Sequence, residues 1–418
     1  MTDGSVIDYR KHRRFVVAGV DYRPTINSIA QLTREFSIQF ADGSTGTGSA
    51  PRGETLSCFE NHGHNTLPEH VIQLLESDAI MGSELSQLEF DGYLESRIAQ
   101  LGQENVYSLS CAFFEASLAS CGQVASHRMN KQPAYCLNIL NGSFHAYTNP
   151  VLSDFHEFLL VPNHADIALL LDDHQAIQAS VRSHLSETEC TRVNGNRVHV
   201  LNGQGNRACI EFLVGILDGL GLSTRYDLMI DAAAAQLWNG SAYALDLAEK
   251  RTFSSLELEG YWLDIIADYP VALLEDPFAE HDLGCWGSLV ARAADCRIVG
   301  DDVHSGDAER IRRMLNEACM NGVMMKPDQA GTVSATLEAM QVARRAGAPV
   351  ILSHRSISTD SLVLAYLMVH CGIELAKFGP LLSDFSSILK MNEVLRTTRE
   401  PLLVRQAENT ARIEHARI

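Results

Sequence analysis

The second half of the chain repeats one pattern, a short apolar run that ends in a charged or polar residue. Six runs of this kind end at Asp231, Glu275, Asp301, Lys326, His354 and Lys377. The last four intervals between these residues are 26, 25, 28 and 23 residues long, so each has room for one helix and one buried strand. The recurrence therefore predicts β–α repetition around a parallel sheet.

The same residues favour a closed barrel over an open sheet. A (β/α) barrel carries its chemistry at the carboxyl ends of its strands, which is where the pattern places these polar residues. An open doubly wound sheet would show a glycine-rich phosphate loop after its first strand, and the sequence has none there.

Between Asp301 and Lys326 we predict a helix that Ser305 or Asp307 caps. Its apolar stripe comprises Ile311, Met314, Leu315 and Ala318.

A different pattern fills the first third of the chain. From Phe15 to Gly53, apolar and polar residues alternate around Gly, Asp and Ser turns, which is typical of antiparallel strands. From Leu67 to Cys121 the apolar residues follow a helical period. With 418 residues, of which 46% are hydrophobic, the chain is long enough for two domains. We predict an α+β domain over residues 1–132 and a barrel domain over residues 133–418.

The composition excludes several classes of partner. A net charge of −19 and a pI near 5.2 provide no positive field for nucleic acid or for an anionic membrane. The ten cysteines include no C-x-x-C pair, which fits neither a zinc site nor a dense disulfide framework. Asp21 interrupts the N-terminal apolar stretch, and no segment is long enough to span a bilayer. We therefore predict a cytoplasmic protein.

Three of the apolar runs end in an acidic residue and two end in a lysine, which suggests a metal site with a general base. Asp231, Glu275 and Asp301 would point into one mouth of a closed barrel, and three hard oxygen ligands favour Mg²⁺. A salt bridge is the usual role of one such carboxylate, but three in succession followed by two lysines favour a functional site. Because Lys326 and Lys377 end strands on the same face, each ammonium is expected to lower the pKa of the other toward that of a general base.

His354, Arg355 and Ser356 present an imidazole, a guanidinium and a hydroxyl in consecutive positions. A guanidinium binds two oxygens of a phosphate or carboxylate at once. Because the three residues follow a predicted strand at the same rim, we expect them to bind an anionic substrate. The imidazole of His354 is also a candidate catalytic group.

Four segments of the second half resemble the enolase family in their order and approximate spacing: LLEDPFAEHD, VGDDV, MMKPDQAG and LSHRS. The resemblance implies an enolase-type (β/α)8 barrel with an N-terminal α+β capping domain. It also implies a homodimer that acts on a small phosphorylated carboxylate. By the same resemblance, Asp231, Glu275 and Asp301 are the Mg²⁺ ligands. Lys326 is then the base that removes the proton α to the carboxylate.

The resemblance assigns further residues to the substrate. Lys377, in ELAKFGP, is at the position where a second lysine of the family contacts the substrate. Arg355 and Ser356 are at the positions that bind the phosphate in the family. LNGSFHA places His145 at the histidine of the family's substrate loop, and HEFLLVP places Glu157 at its acidic residue.

The N-terminal segment APRGETLSCFE resembles the mobile loop of the family. In this segment Thr55 stands where a serine would ligate a second Mg²⁺. A departure occurs before the first metal ligand, where the family carries an Asp-Glu-Gly-Gly segment whose glutamate helps to expel the β-hydroxyl as water. Here the corresponding stretch reads VLNGQGNRA, with Gly203 or Gln204 in the place of the glutamate.

Three functions follow from this sequence. The first is an enolase-type lyase that interconverts a 2-phosphoglycerate-like acid and a phosphoenolpyruvate-like product through a metal-stabilised enolate. The second is a relative that resembles carboxyphosphonoenolpyruvate synthase of phosphonate biosynthesis, which needs no dehydrating acid. The third is a non-catalytic binding protein, for which we would expect other residues in place of the metal ligands and lysines. All of these ligands and lysines are present.

Overall fold

The structure, a computed structural model, describes residues 13–54, 57–60, 66–122, 132–379 and 385–397. None of the helices within these ranges is long and apolar enough to cross a membrane. The described residues form an N-terminal sheet with its helices, followed by a closed barrel. This architecture confirms the predicted α/β class.

The N-terminal part combines one antiparallel sheet with helices that share a buried cluster with it. The strands are β1 (Phe15–Ile26), β2 (Leu32–Phe40), β3 (Thr45–Ser49) and β4 (Glu84–Leu85). The helices are α1 (Pro68–Ser77), α2 (Gln87–Ser96), α3 (Ile98–Leu101) and α4 (Gln103–Ser120). Phe36, Ile38 and Phe40 of β2 are buried in one cluster with residues of α4, because alternate side chains of a strand share a face. The predicted antiparallel strands and helices are confirmed here.

The barrel begins with a strand at Ala134 and closes around eight strands. In barrel order they are β5 (Ala134–Asn141), β6 (Glu157–Pro162), β9 (Tyr226–Asp231), β12 (Val271–Glu275), β13 (Arg297–Gly300), β14 (Gly322–Met325), β15 (Val350–Ser353) and β16 (Leu375–Lys377). One apolar side chain from each of several strands fills the interior, including Met229, Met324 and Ile351. The domain boundary at residues 132 and 133 stays a prediction.

One barrel strand runs against the others. β6 pairs antiparallel with both β5 and β9, whereas the remaining neighbours pair in parallel. The strands that the six runs predict all pair in parallel with one another, as expected, and β6 lies outside those runs. Its reversal matters for the site, because the first residue of β6, Glu157, lies opposite the last residue of β9, Asp231. The amino end of β6 thus shares a rim with the carboxyl ends of the other strands.

Helices surround the barrel and two short hairpins project from it. The helices are α5 (Ile167–Leu185), α6 (Arg207–Leu220), α7 (Ser255–Asp268), α8 (Leu283–Arg292), α9 (Ala308–Asn316), α10 (Pro327–Ala330), α11 (Val333–Arg345), α12 (Val363–Cys371) and α13 (Phe385–Thr397). The hairpins are β7 (Glu189–Val193) with β8 (Asn196–Val200), and β10 (Tyr243–Leu245) with β11 (Arg251–Phe253).

The predicted helix between β13 and β14 is α9, and its cap decides between the two candidates. Asp307 is the N-cap, and its carboxylate accepts a hydrogen bond from the backbone N–H of Arg310 at 2.7 Å. Ile311 and Met314 are buried as expected. Ala318 lies beyond the end of the helix with a φ of 52°, so its predicted place in the apolar stripe was wrong.

Candidate active site

The polar residues that end the apolar runs of the sequence lie around one mouth of the barrel. Asp231, Glu275 and Lys377 are the last residues of β9, β12 and β16, and Asp301 and Lys326 directly follow β13 and β14. The mouth contains a cavity of about 270 Å³ that is lined by Asp231, Asp301 and both lysines. Glu275 is fully buried beside this cavity. Residues from strands far apart in sequence therefore meet at a single site.

Lys377 holds three carboxylates together. Its Nζ lies 2.9 Å from Asp231 Oδ2, 2.6 Å from Glu275 Oε2 and 2.9 Å from Glu157 Oε2. The other oxygen of Glu157 accepts a hydrogen bond from Asn138 Nδ2 at 2.7 Å. One ammonium therefore contacts all three acids at the mouth of the barrel.

The pKa values of the two lysines differ from the sequence expectation. Burial disfavours the charged form of both, but carboxylates raise the pKa of Lys326, with Asp301 as its main partner, and that of Lys377, with Asp231 as its main partner. Lys326 also donates a hydrogen bond to Asp301. The expected lowering by mutual repulsion was wrong, because the nearest charges to each ammonium are acids. Both lysines are protonated at neutral pH in this arrangement.

The acids of the cluster differ from one another in pKa. Burial raises the pKa of Glu275 well above its usual value, and the charge of Asp231 raises it further. Burial also opposes the ionisation of Asp231, but the ammonium of Lys377 outweighs it and lowers the pKa of Asp231 to about 2. Asp231 is therefore ionised in this arrangement, whereas the surroundings of Glu275 favour its protonated form.

The donor set fits a hard divalent cation. Glu275 Oε1 and Asp301 Oδ1 are buried oxygens without a hydrogen-bond partner among the described residues. Such atoms are costly unless something positive contacts them. Asp276, Asp301 and Asp302 also present ligand oxygens within 4.8 Å of one another. Carboxylate oxygens in this number match the ligands of Mg²⁺ better than those of softer metals.

Arg355 is buried in an ion cluster at the edge of the cavity. Its Nη1 donates to Asp328 Oδ2 at 2.9 Å, and its Nη2 donates to the two oxygens of Glu60 at 3.1 and 3.2 Å. Beside it, Ser356 Oγ accepts a hydrogen bond from the backbone N–H of Glu54 at 3.0 Å. Arg355 and Ser356 both line the cavity, as expected for an anion site. Thr55, the candidate ligand of a second Mg²⁺, lies outside the described residues.

Three histidines lie around the same cavity. The rings of His145 and His156 are 3.9 Å apart, and His156 Nε2 lies 3.1 Å from Gln236 Oε1. Burial and the neighbouring His145 lower the pKa of His156 to about 3, so this ring is neutral. His354 also lines the cavity, and its backbone N–H donates to the carbonyl oxygen of Lys377 at 3.0 Å.

Comparison with known proteins agrees with this geometry. The family model of the enolase C-terminal TIM barrel domain matches residues 130–411. The chain belongs to the enolase family. A protein named enolase from Acidothermus cellulolyticus is 27% identical over 418 residues, which cover 92% of this chain and 94% of the relative. An enolase from Beutenbergia cavernae is 26% identical over 416 residues, which cover 92% of this chain and 95% of that protein.

The loop that departs from the enolase sequence pattern, which the structure describes in full, contributes no residue to the lining of the cavity. Gly203 and Gln204 are exposed, and neither is among the residues that line the cavity. The backbone N–H of Asn206 donates to Glu249 Oε2 at 2.9 Å, and Asn206 Nδ2 donates to Asp154 Oδ2 at 3.0 Å. These bonds hold the end of the loop against the barrel. Within the described residues, no acid of this loop lines the cavity of the enolase-like site.

Sequence reasoning missed several residues of the site. Asp276 and Asp302 follow two candidate ligands directly, and Asp276 accepts hydrogen bonds from the backbone N–H groups of Asp301 at 2.9 Å and Asp302 at 2.8 Å. Neighbours in a strand point to opposite faces, but Asp276 lies past the strand end with a φ of 44° and turns back. The second acidic residue in each of the segments LLEDP and VGDDV could have indicated Asp276 and Asp302. Glu60 ends the segment APRGETLSCFE, but nothing in the sequence indicated that it contacts Arg355.

Proposed function

We propose that this member of the enolase family is a Mg²⁺-dependent lyase that interconverts a 2-phosphoglycerate-type acid and a phosphoenolpyruvate-type product through an enolate. The observation that carries the proposal is the cluster at the barrel mouth, where Lys326 and Lys377 contact Asp301, Asp231 and Glu275 beside one cavity. Acids that hold a cation and an amine that takes a proton are the two requirements of enolate chemistry.

Asp231, Glu275 and Asp301 would hold Mg²⁺. The buried oxygens of Glu275 and Asp301 that lack a hydrogen-bond partner among the described residues support this assignment. When bound, the cation would supply positive charge that stabilises the enolate. In this proposal Asp276 positions Asp301 and Asp302, because its carboxylate accepts hydrogen bonds from their backbone N–H groups.

Lys326 is the proposed base for the α proton, and Lys377 the proposed partner of the substrate carboxylate. A lysine accepts a proton only in its neutral form, and the carboxylates that keep Lys326 protonated are the ones that would bind the cation. The two amines line the cavity with His145, Glu157 and His354, which are the other proposed catalytic groups.

Arg355 and Ser356 are the proposed binding groups for the phosphate. Their side chains line the cavity, and a guanidinium matches the geometry of phosphate oxygens. Glu60 now occupies one edge of Arg355. In this proposal the phosphate displaces Glu60 from the guanidinium.

A second candidate is the phosphonoformyl-transferring relative that resembles carboxyphosphonoenolpyruvate synthase. The observation in its favour is the sequence Gly203-Gln204 in place of the dehydrating glutamate, because neither residue can donate a proton as a carboxylic acid does. It would use the same cation, the same lysines and the same anion site.

The deciding experiment separates proton removal from water loss. The purified protein is incubated with 2-phosphoglycerate and Mg²⁺ in D₂O, exchange of the α proton is followed by NMR, and phosphoenolpyruvate is followed by its absorbance. Exchange together with product formation supports the lyase. Exchange without product supports the second candidate. Absence of exchange at saturating Mg²⁺ contradicts the proposed function.

A further inference from the structure

The tip of the β1–β2 hairpin reaches the rim of the candidate active site. Asn27 Oδ1 accepts hydrogen bonds from the backbone N–H groups of Ile29 at 3.2 Å and Gln31 at 2.9 Å, which shapes the turn. The backbone N–H of Ser28 donates to Ser358 O at 2.8 Å, and the backbone N–H of Ser358 donates to Ser28 Oγ at 2.9 Å. These reciprocal bonds attach the tip to the loop that follows β15.

That loop is bonded to the N-terminal part of the chain at each position from 355 to 359. The pairs are Arg355 with Glu60, Ser356 with Glu54, Ile357 with Arg52, Ser358 with Ser28, and Thr359 with Ser49. From the barrel side, the buried ammonium of Lys390 donates to the carbonyl oxygen of Thr359 at 2.8 Å. The hairpin tip and the proposed phosphate-binding residues therefore form one wall of the cavity.

Two side chains with apolar surface, one from the hairpin tip and one from the loop between β5 and β6, line the cavity and remain partly exposed. Ile29 lines the cavity and is 40% exposed, and Tyr147 lines it and is 41% exposed. Burial raises the pKa of the Tyr147 hydroxyl, and the neighbouring Glu54 raises it further. The acidic and basic side chains of the lining match the charges of a phosphorylated acid, but the side chain of Ile29 offers such a ligand no polar contact. A ligand that covers the apolar surface gains from the hydrophobic effect.

We propose that Ile29 is a specificity-determining residue and that the preferred substrate carries an apolar substituent, next to its phosphate and carboxylate, that packs on Ile29 and Tyr147. This inference rests on the proposed function, because it takes the phosphorylated carboxylate from it. The substrate class is then a phosphorylated acid with at least one alkyl group beyond the three-carbon skeleton.

The test compares two ligands that differ by one methyl group, phosphoenolpyruvate and its 3-methyl homologue. Calorimetry with Mg²⁺ gives the two affinities for the wild type, for Ile29→Ser and for the control Leu32→Ser. Leu32 belongs to the same hairpin and is 77% exposed, but it does not line the cavity. We expect the wild type and Leu32→Ser to prefer the methyl homologue roughly fourfold, and Ile29→Ser to bind both equally. Ile29→Leu, which keeps the apolar surface, is expected to retain the preference.

Several results would overturn the inference. Equal affinity of the wild type for the two ligands removes its basis, and so does a preference that survives in Ile29→Ser or disappears equally in Leu32→Ser. These outcomes leave the proposed function in place if α-proton exchange occurs. Failure of the wild type to bind either ligand, together with absent exchange, instead rejects the proposed substrate class and this inference with it.

Discussion

Lys377 is the residue on which the charge balance of the site depends. Its ammonium contacts Asp231, Glu275 and Glu157, and both Lys377 and Glu275 are buried. Buried ions of this kind persist only when each is paired, because removing one partner leaves an uncompensated charge. The lysines therefore hold the acids in place, and the cation that we propose would take over part of this role.

Replacement of Lys326 separates its role as a base from its role in charge balance. Lys326→Ala should abolish exchange of the substrate α proton with D₂O, a loss of at least about 10²-fold, because no other amine is assigned to that proton. Mg²⁺ binding should remain, since the three carboxylates are kept. NMR exchange and isothermal titration measure the two properties. Lys250→Gln, which removes an exposed ammonium, is the control, and exchange that persists in Lys326→Ala would refute the assignment of the base.

The two positions that could receive the missing glutamate differ in conformation. Gly203 has a φ of 130°, and a Cβ there would lie 2.9 Å from Ala208 Cβ. Gly203→Glu should therefore lower the free energy of unfolding by roughly 1–3 kcal/mol. Gln204 is exposed, so Gln204→Glu should change it by less than about 0.5 kcal/mol. Urea denaturation measures both, and equal stability of the two variants would contradict the conformation of this loop.

Among the secondary-structure elements, helix α11 shows how the N-terminal part is joined to the barrel. The first backbone N–H groups of a helix need partners from outside it. The N–H of Val333 donates to Ser110 Oγ and that of Ser334 to Asp91 Oδ2, each at 2.9 Å. Ser110 belongs to α4 and Asp91 to α2. A barrel helix is thus capped by side chains of the N-terminal helices.

The cap formed by Asp91 should make stability depend on pH. Burial raises the pKa of Asp91 from 3.8 to about 6. The native state therefore binds more protons than the unfolded state between about pH 4 and pH 6, and stability falls as pH rises through this window. Relative to Asp91→Asn, the wild type should lose about 3 kcal/mol of unfolding free energy across it.

Urea denaturation at several pH values between 4 and 7 tests this expectation. Asp295→Asn, which removes a carboxylate from an exposed turn, is the matched control and should follow the wild type. A wild type and an Asp91→Asn variant with parallel pH profiles would show that Asp91 does not titrate in this range.

For the whole molecule, the site depends on two parts of the chain. The acids and lysines come from the barrel, but Glu60 and Glu54 reach the anion-binding loop from the N-terminal part. An isolated barrel would therefore lack part of the wall that we assign to the substrate. The homodimer implied by the family and the cytoplasmic location stay predictions.

Mg²⁺ should stabilise the whole fold, because its ligands come together only in the native state. At a Mg²⁺ concentration 100 times the Kd, the free energy of unfolding should rise by about 2.7 kcal/mol, and EDTA should reverse the rise. Glu275→Gln removes one proposed ligand and should lose most of this increment. Glu309→Gln, at an exposed position on α9, should keep it. Thermal unfolding with and without Mg²⁺ measures the increment, and an equal rise in Glu275→Gln would remove Glu275 from the ligand set.

The local pattern of residues was enough to predict most of the barrel and its rim. Apolar runs that end in a polar residue predict a buried strand and the place where its chemistry lies, because burial and strand direction are properties of short segments. Asp231, Glu275, Asp301, Lys326 and Lys377 were found in this way. The family resemblance added His145 and Glu157, for which no such run is present.

Tertiary structure alone decided the features that depend on residues distant in sequence. The reversal of β6 is set by its pairing with β5 and β9, and it brings Glu157 to Lys377. The raised pKa of Lys326 follows from the acids that surround it. The contact of Glu60 with Arg355 joins residues from two parts of the chain. None of these has a local signature, because pairing and electrostatic energies depend on distances that form only when the chain has folded.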